Sequence, residues 1–485
     1  MGDEGKTRWL LAGLAMLFVS AALTAPINHD ESQYVAAIAQ MRHGLPYRDW
    51  PFLQTPLQPL LLSPLSHLPA GWLLVGARLA NVLFALLACA ALLRLLRGRV
   101  PFAAAALCVG AMAATNAFLF AAEVARNDAL PVALLSLGLL ALASKRIDRR
   151  RAVVAGLCLG LAIAAKISLA LPVAGAGLWL LSRLPLLGWK VVGGAIVGGL
   201  TGLLPCVILY ALAPEQMLFG VFTYSLEAPQ QFWTAVGQAE RLAPGTKLLG
   251  IAVELIKGAS GVALLIILLD WRRRSPLADL LGLTLLGGLV AAYLPDPFFE
   301  QYLVPLLPPL FARAALALPT LGRRASMAAL TTGAATTIFG LADVASDHVR
   351  GWNRQQTLAV AVSHGRIVAA AANGRPVASL APERLAGADV QLMPGFTAGP
   401  FLFRTFGELA RSAQGLTGAP TFQRLDLLDR APPAVIVTGG ERRPRLPLFP
   451  HGLDAPLDEW ARSRGYRPVA LPGKEWTMWL RDGRR

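Results

Sequence analysis

The stretch NHDESQYVAAIAQMRHGLPYRDWPFLQTPLQPLL, residues 28–61, places two adjacent carboxylates, Asp30 and Glu31, directly behind an apolar run of membrane-spanning length. Charge beside a low-dielectric slab is costly unless it is paired or used. The stretch reads as the point where a chain leaves a bilayer and sets up chemistry at its surface. Tyr34, Ile38, Met41 and Leu45 recur at helical spacing, which predicts an amphipathic helix over Ser32–His43 lying on the membrane and closed by Gly44. Asp30 and Gln33 make a D-x-x-Q capping box at its start. Capping and catalysis are both open to Asp30, and the two are compatible.

Working outward, the 485 residues are 55% hydrophobic and only 15% charged. A soluble domain is far more polar, so the class is a polytopic α-helical membrane protein. Apolar runs fall near 8–27, 73–96, 100–121, 129–144, 152–165, 168–183, 191–213, 250–269, 277–294, 302–319 and 327–343, which gives eleven expected spans. The first is expected to stay as a span rather than be removed as a signal peptide, although Lys6, Arg8 and Ser20-Ala21-Ala22 suit either reading. The net charge of +16 does not point to a nucleic-acid partner, because the basic residues cluster between runs, where they set topology. Cys89, Cys108, Cys158 and Cys206 lie in apolar stretches without CxxC spacing and imply neither a disulfide framework nor a metal site.

The clusters at Arg94, Arg97 and Arg99, at Lys145 to Arg151, at Arg183 and Lys190, at Arg272 to Arg274 and at Arg323 and Arg324 occupy alternate loops, on the side of Lys6 and Arg8. The positive-inside rule then puts the N terminus in the cytoplasm and residues 344–485 outside, as expected for a bacterial inner-membrane protein with a periplasmic domain. Two units follow: a membrane domain over 1–343, with juxtamembrane helices in the loop 28–70, and a small soluble α/β domain over 344–485. In the latter, Pro376–Leu380, Ala434–Thr438, Arg467–Leu471 and Trp476–Leu480 read as strands, and Trp352–Ala372 and Leu457–Arg464 as helices.

The outer loops carry most of the membrane region's carboxylates: Asp30, Glu31 and Asp49, then Glu123 and Asp128, then Asp296 and Glu300. Cations join them at the outer ends of runs, namely Arg78, Arg126, Lys166 and Lys257. Each has an ordinary reading. Glu123 and Arg126 suit an i,i+3 pair, Asp128 suits a helix cap, and Lys166 suits snorkelling to headgroups. Together they suit sugar transfer from a lipid-linked phosphate, in which cations neutralise the leaving phosphate and one carboxylate takes the proton of the attacking hydroxyl. A single displacement of this kind inverts the anomeric carbon.

The Asp30-Glu31 pair, with Tyr34, Gly44, Tyr47, Asp49 and the Pro-Leu pairs at 56-57 and 59-60, resembles the first outer loop of GT-C membrane glycosyltransferases. The likeness is to the branch of protein O-mannosyltransferases and lipid A aminoarabinose transferases. Glu123 to Asp128 resembles that branch's second acidic motif, Ala165-Lys166 its Lys-bearing turn, and FFEQYLVPLLPP, residues 298–309, its late motif. The resemblance implies a polyprenyl-phosphate-sugar donor and a glycan, lipid or protein acceptor. It implies Asp30 as base, with Glu31 and Asp128 as the other catalytic candidates. Tyr47, Arg48, Gln54, Arg78, Glu123, Arg126, Lys166, Glu300 and Tyr302 are the expected substrate contacts. Gln54-Thr55-Pro56 stands where many relatives have Lys-Pro-Pro, and Gln301 where a His is frequent, so the sugar is left open. No cofactor is fixed, although Asp30 and Asp128 are candidates to share a divalent cation. The rival class is a lipid or glycolipid transporter or flippase. It fits less well because the charges gather at one set of run ends rather than at the midplane.

Overall fold

The computed structural model describes residues 2–481 apart from Lys145, Arg273, Arg354, Gln355, 443–446 and Lys474. Lys145 and Arg273, members of the basic clusters, thus lie outside the described residues. Each of the eleven apolar runs is helical. Five helices are long and apolar enough to cross a membrane: Asp3–Thr24, Trp72–Leu96, Pro276–Tyr293, Glu300–Thr320 and Arg324–Trp352. Three bent pairs raise this to as many as eight: Phe102–Ala113 with Asn116–Glu123 (68°), Trp189–Gly202 with Leu204–Leu212 (43°), and Pro244–Ile256 with Ala259–Leu269 (89°). The breaks have local causes. Thr115 starts a new helix by accepting from Phe118 N–H, Pro205 withholds a donor, and Gly258 takes φ +69°. Shorter apolar helices, Ala129–Leu142 and Ile167–Ser182, complete the bundle with Arg149–Ala165.

The alternation of charge along the sequence is also an alternation in space. At one end Arg97 meets Glu4 at 2.9 Å, Arg183 meets Asp279 at 3.8 Å and Arg313 meets Asp270 at 3.2 Å. At the other end gather Asp30, Glu31, Arg78, Glu123, Arg126, Asp128 and Lys166. The helix that ends in Lys166 packs backbone to backbone on Trp189–Gly202. A Cβ on Gly156 would stand 1.9 Å from the Ala195 carbonyl oxygen, and one on Gly160 2.2 Å from that of Gly199.

Beyond this end lies a five-stranded sheet of order β2-β1-β3-β5-β4, comprising β1 (Pro376–Ser379), β2 (Gln391–Leu392), β3 (Val435–Thr438), β4 (Arg467–Ala470) and β5 (Thr477–Leu480). β1, β2 and β3 run parallel, while β5 is antiparallel to both β3 and β4. Alternate strand residues serve two cores, as the period of a strand requires. Val377, Val435 and Val437 pack into one cluster with Val35, Ile38, Leu73 and Leu74 of the membrane part. Ala378, Ile436 and Trp479 pack on the other face with Phe396, Phe403 and Leu457.

Three expectations change here. The helix after Asp30 runs only over Glu31–Gln40, and all ten residues are buried, so it does not lie on the membrane surface. Its polar face meets protein instead of water: Gln40 Nε2 donates to the Leu392 carbonyl at 3.1 Å, and the turn Pro382–Arg384 packs against the helix. Gly399, at φ +56°, passes so close that a Cβ would lie 2.5 Å from Ser32 Oγ. The helix entering the C-terminal region runs unbroken over Arg323–Asn353, across the boundary expected at 343, because nothing in it stops a helix. The predicted helix Trp352–Ala372 begins only at Leu358, where Thr357 Oγ1 accepts from Val360 N–H at 3.4 Å.

Candidate active site

The site is built on the loop between Glu123 and Ala129, which has no regular backbone pairing and is held by side chains. Asn81 Nδ2 donates to the carbonyls of Val124 (2.6 Å) and Arg126 (2.7 Å), and Gln58 Nε2 to that of Arg126 (3.0 Å). Asn127 Nδ2 donates to the Ala165 carbonyl at 3.0 Å, which ties the loop to the turn bearing Lys166. The loop thereby presents Arg126 and Asp128 at a fixed place beside Asp30.

These side chains form a row of alternating sign. Arg126 Nη1 contacts Asp30 Oδ2, Arg126 Nε donates to Asp128 Oδ2 at 2.9 Å, and Lys166 Nζ contacts Asp128 Oδ1. Burial alone pushes the Asp128 carboxyl up, but Lys166 and Arg126 outweigh it and hold the group below the usual carboxylate range, so it stays ionised. Arg126 lies over the rings of Phe120 (5.6 Å) and Tyr34 (6.0 Å), and Lys166 over that of Tyr302 (5.9 Å). Asp128 is all but sealed, whereas the Asp30 side chain is 23% exposed and opens the row to solvent. Its Oδ1 stands 3.1 Å from His29 Nε2.

The structure revises several expected roles. Asp30 makes no side-chain cap hydrogen bond, since its carboxylate is turned to Arg126, and the capping-box reading fails. Asp128 likewise caps nothing. Glu123 pairs not with Arg126 but with His348 Nε2 at 3.1 Å. Lys166 is buried against Asp128 instead of snorkelling.

Glu31 and Arg78 form a closed pair, 0% and 1% exposed at their side chains, joined at 2.8 and 2.7 Å. Glu31 also accepts from the N–H groups of Asn28 (2.9 Å) and Ala125 (2.8 Å). Arg78 donates its remaining N–H groups to the carbonyls of Ala22, Ala25 and Pro26. Both are occupied in clamping the first two loops together and are poorly placed to touch substrate. Tyr47 is buried with its hydroxyl bonded to the Gln54 carbonyl, and Arg48 pairs with Asp49 at an exposed turn, so none of these three joins the row. Glu300 is half-buried at the start of the turn Glu300–Leu306, which also carries Tyr302.

Among the described residues no group of three His, Cys, Asp or Glu side chains could hold a metal ion. Asp30 and Asp128 were candidates to share a divalent cation, but Arg126 stands between them and takes an oxygen of each, so the two carboxylates do not fit one. Sequence reading missed His29, Phe120, His348 and Asn81. Only His29 carried a signal, as the neighbour of Asp30.

A buried row of alternating charge at one end of an apolar helix bundle, covered by an α/β layer, is the architecture of a polytopic membrane protein. Residues 52–295, just over half of the chain, match glycosyltransferase family 87, and the chain belongs to that family. It is a membrane glycosyltransferase. The match takes in Arg126, Asp128 and Lys166 and begins after Asp30. The fold is similar to that of ArnT from Cupriavidus metallidurans, solved bound to undecaprenyl phosphate and in the apo state. Each comparison has a TM-score of 0.63 at 15% identity, over 99% of this chain and 98% of that chain. No curated protein matches the sequence.

Proposed function

We propose that the protein transfers a sugar from a polyprenyl-phosphate donor to an acceptor hydroxyl, with inversion, at the outer face of the membrane. The observation that carries this reading is the row Asp30–Arg126–Asp128–Lys166, which ends in the one carboxylate of the four groups that opens to solvent. Arg126 and Lys166 receive the donor phosphate, exchanging part of their contact with Asp128 for it. Their charge makes the phosphate a good leaving group, so no general acid is required. Asp30 takes the proton of the acceptor hydroxyl as its oxygen attacks the anomeric carbon. Glu31 and Arg78 position Asp30 by clamping the start of its helix. The bound undecaprenyl phosphate of the ArnT structure supports an isoprenoid phosphate as the donor's lipid part.

In this reading the membrane unit has eleven spans and ends within the helix Arg323–Asn353, the N terminus is cytoplasmic, and the region after that helix forms a periplasmic domain of a bacterial inner-membrane enzyme. The chemistry suits modification of a cell-envelope glycan, lipid or protein. The purified full chain is to be incubated with polyprenyl-phosphate pentoses and hexoses labelled in the sugar, and with membrane extract as the source of acceptor. Label should move to an acceptor with the opposite anomeric configuration. Flipping of intact donor across vesicles without transfer would replace the enzyme by a transporter.

A further inference from the structure

We propose that His29 is the proton relay of this site: a proton gained by Asp30 passes to His29 Nε2 and leaves to solvent from the exposed imidazole. The inference rests on Asp30 being the base. Asp30 has two oxygens, and both are engaged. Oδ2 contacts Arg126 Nη1, and Oδ1 lies 3.1 Å from His29 Nε2. A carboxylate paired with arginine binds a proton weakly, and arginine cannot accept one. A proton taken from the acceptor therefore has to move on. Among the described residues, His29 is the titratable side chain in contact with Asp30 that can receive it.

The surroundings of His29 fit a route outward. Its side chain is 55% exposed, more than twice the exposure of Asp30. Its ring stands 5.8 Å from that of Phe401, on which Arg404 is stacked at 5.0 Å. Glu441 and Glu383 from the ends of β3 and β1, with Arg404 and Arg126, are the charged groups that bear on it besides Asp30. Desolvation outweighs the two glutamates, and with the two arginines it holds His29 below the usual histidine range. A neutral imidazole has the vacant nitrogen that a relay requires.

The step balances as follows. The acceptor oxygen bonds to the anomeric carbon, and the carbon–oxygen bond to phosphate breaks with its electron pair going to phosphate. The hydroxyl proton moves to Asp30 Oδ1 and then to His29 Nε2, and the imidazolium gives up a proton to solvent water.

The test uses the purified full chain with sugar-labelled polyprenyl-phosphate hexoses and pentoses and membrane extract. It compares the parent with His29→Ala, His29→Gln and Asp30→Asn, each checked for unchanged thermal unfolding. His29→Ala should lose about 10²-fold in kcat and regain at least part of it with added imidazole, the rescued rate following the unprotonated fraction of the imidazole. His29→Gln keeps a polar side chain beside Asp30 but cannot carry a proton onward, and should stay slow. Parental turnover by His29→Gln, or a slow His29→Ala that ignores imidazole, overturns the relay and leaves His29 a packing contact. If Asp30→Asn is inactive while both His29 variants run at the parental rate, the relay alone falls. If Asp30→Asn is active, or the parent transfers no label, the base assignment beneath it falls as well.

Discussion

Replacing Asp30 by Asn removes one negative charge and the ability to accept a proton, while size and one carbonyl oxygen are kept. Because Asp30 makes no cap hydrogen bond, no loss of helix capping is expected. Arg126 retains Asp128 Oδ2 at 2.9 Å and is not left without a counter-charge, so the stability loss should be smaller than that from breaking the sealed Glu31–Arg78 pair. Loss of a general base costs about 10²- to 10⁴-fold in rate, or about 3–5 kcal/mol in the barrier. The two effects separate cleanly when initial rates of label transfer are measured beside thermal unfolding. Glu31→Gln is the contrast. It breaks a pair sealed from solvent and leaves Arg78 without its counter-charge, so its main defect should be about 3–5 kcal/mol of stability. An Asp30→Asn enzyme that turns over like the parent would refute the assignment. So would a Glu31→Gln enzyme that is normally stable yet the slower of the two. The base would then have to be sought at Glu31, Asp128 or Glu300.

Arg126→Gln and Lys166→Gln should each weaken binding of a polyprenyl-phosphate sugar, measured with the purified chain, and equal affinity in both variants would remove them from the phosphate site. A cysteine at exposed Ser412 should react with an impermeant reagent in intact cells and one at exposed Arg150 should not, with the reverse pattern inverting the orientation. Burial pushes the Glu383 carboxyl from 4.5 up to about 8, and it pushes Glu441 to about 7 and Asp454 to about 6. The folded protein then binds more protons than the unfolded chain between pH 4.5 and 8, so stability should fall as pH rises through that window. Thermal unfolding across this range should show that slope, and Glu383→Gln should flatten it, whereas a slope unchanged in the variant would place the titration elsewhere.

The alternation of basic and acidic loops was readable because topology is set by local charge counts, and the same alternation gathered Asp30, Glu123, Arg126, Asp128 and Lys166 at one end. What escaped were partners distant in sequence. Local pattern made Asp30 a cap, yet Arg126, from a loop far along the chain, takes its carboxylate. Ser32 and Gln40 looked like part of a solvated face because the surface that covers them comes from residues 392–399, more than three hundred positions later. Arg78 and Glu31 each looked available when read alone, and only their mutual distance shows that they are spent. β2, two residues long, has no pattern to read.

The buried Glu31–Gln40 helix also orders the making of the enzyme. Its floor is synthesised early, with the first spans, but its roof is built from Pro382–Arg384 and the Gly399 turn, which emerge only near the end of translation. Until that roof docks, the face of the helix that carries Ser32 and Gln40 is open. A chain that stops before residue 382 therefore lacks one wall around the helix that follows Asp30.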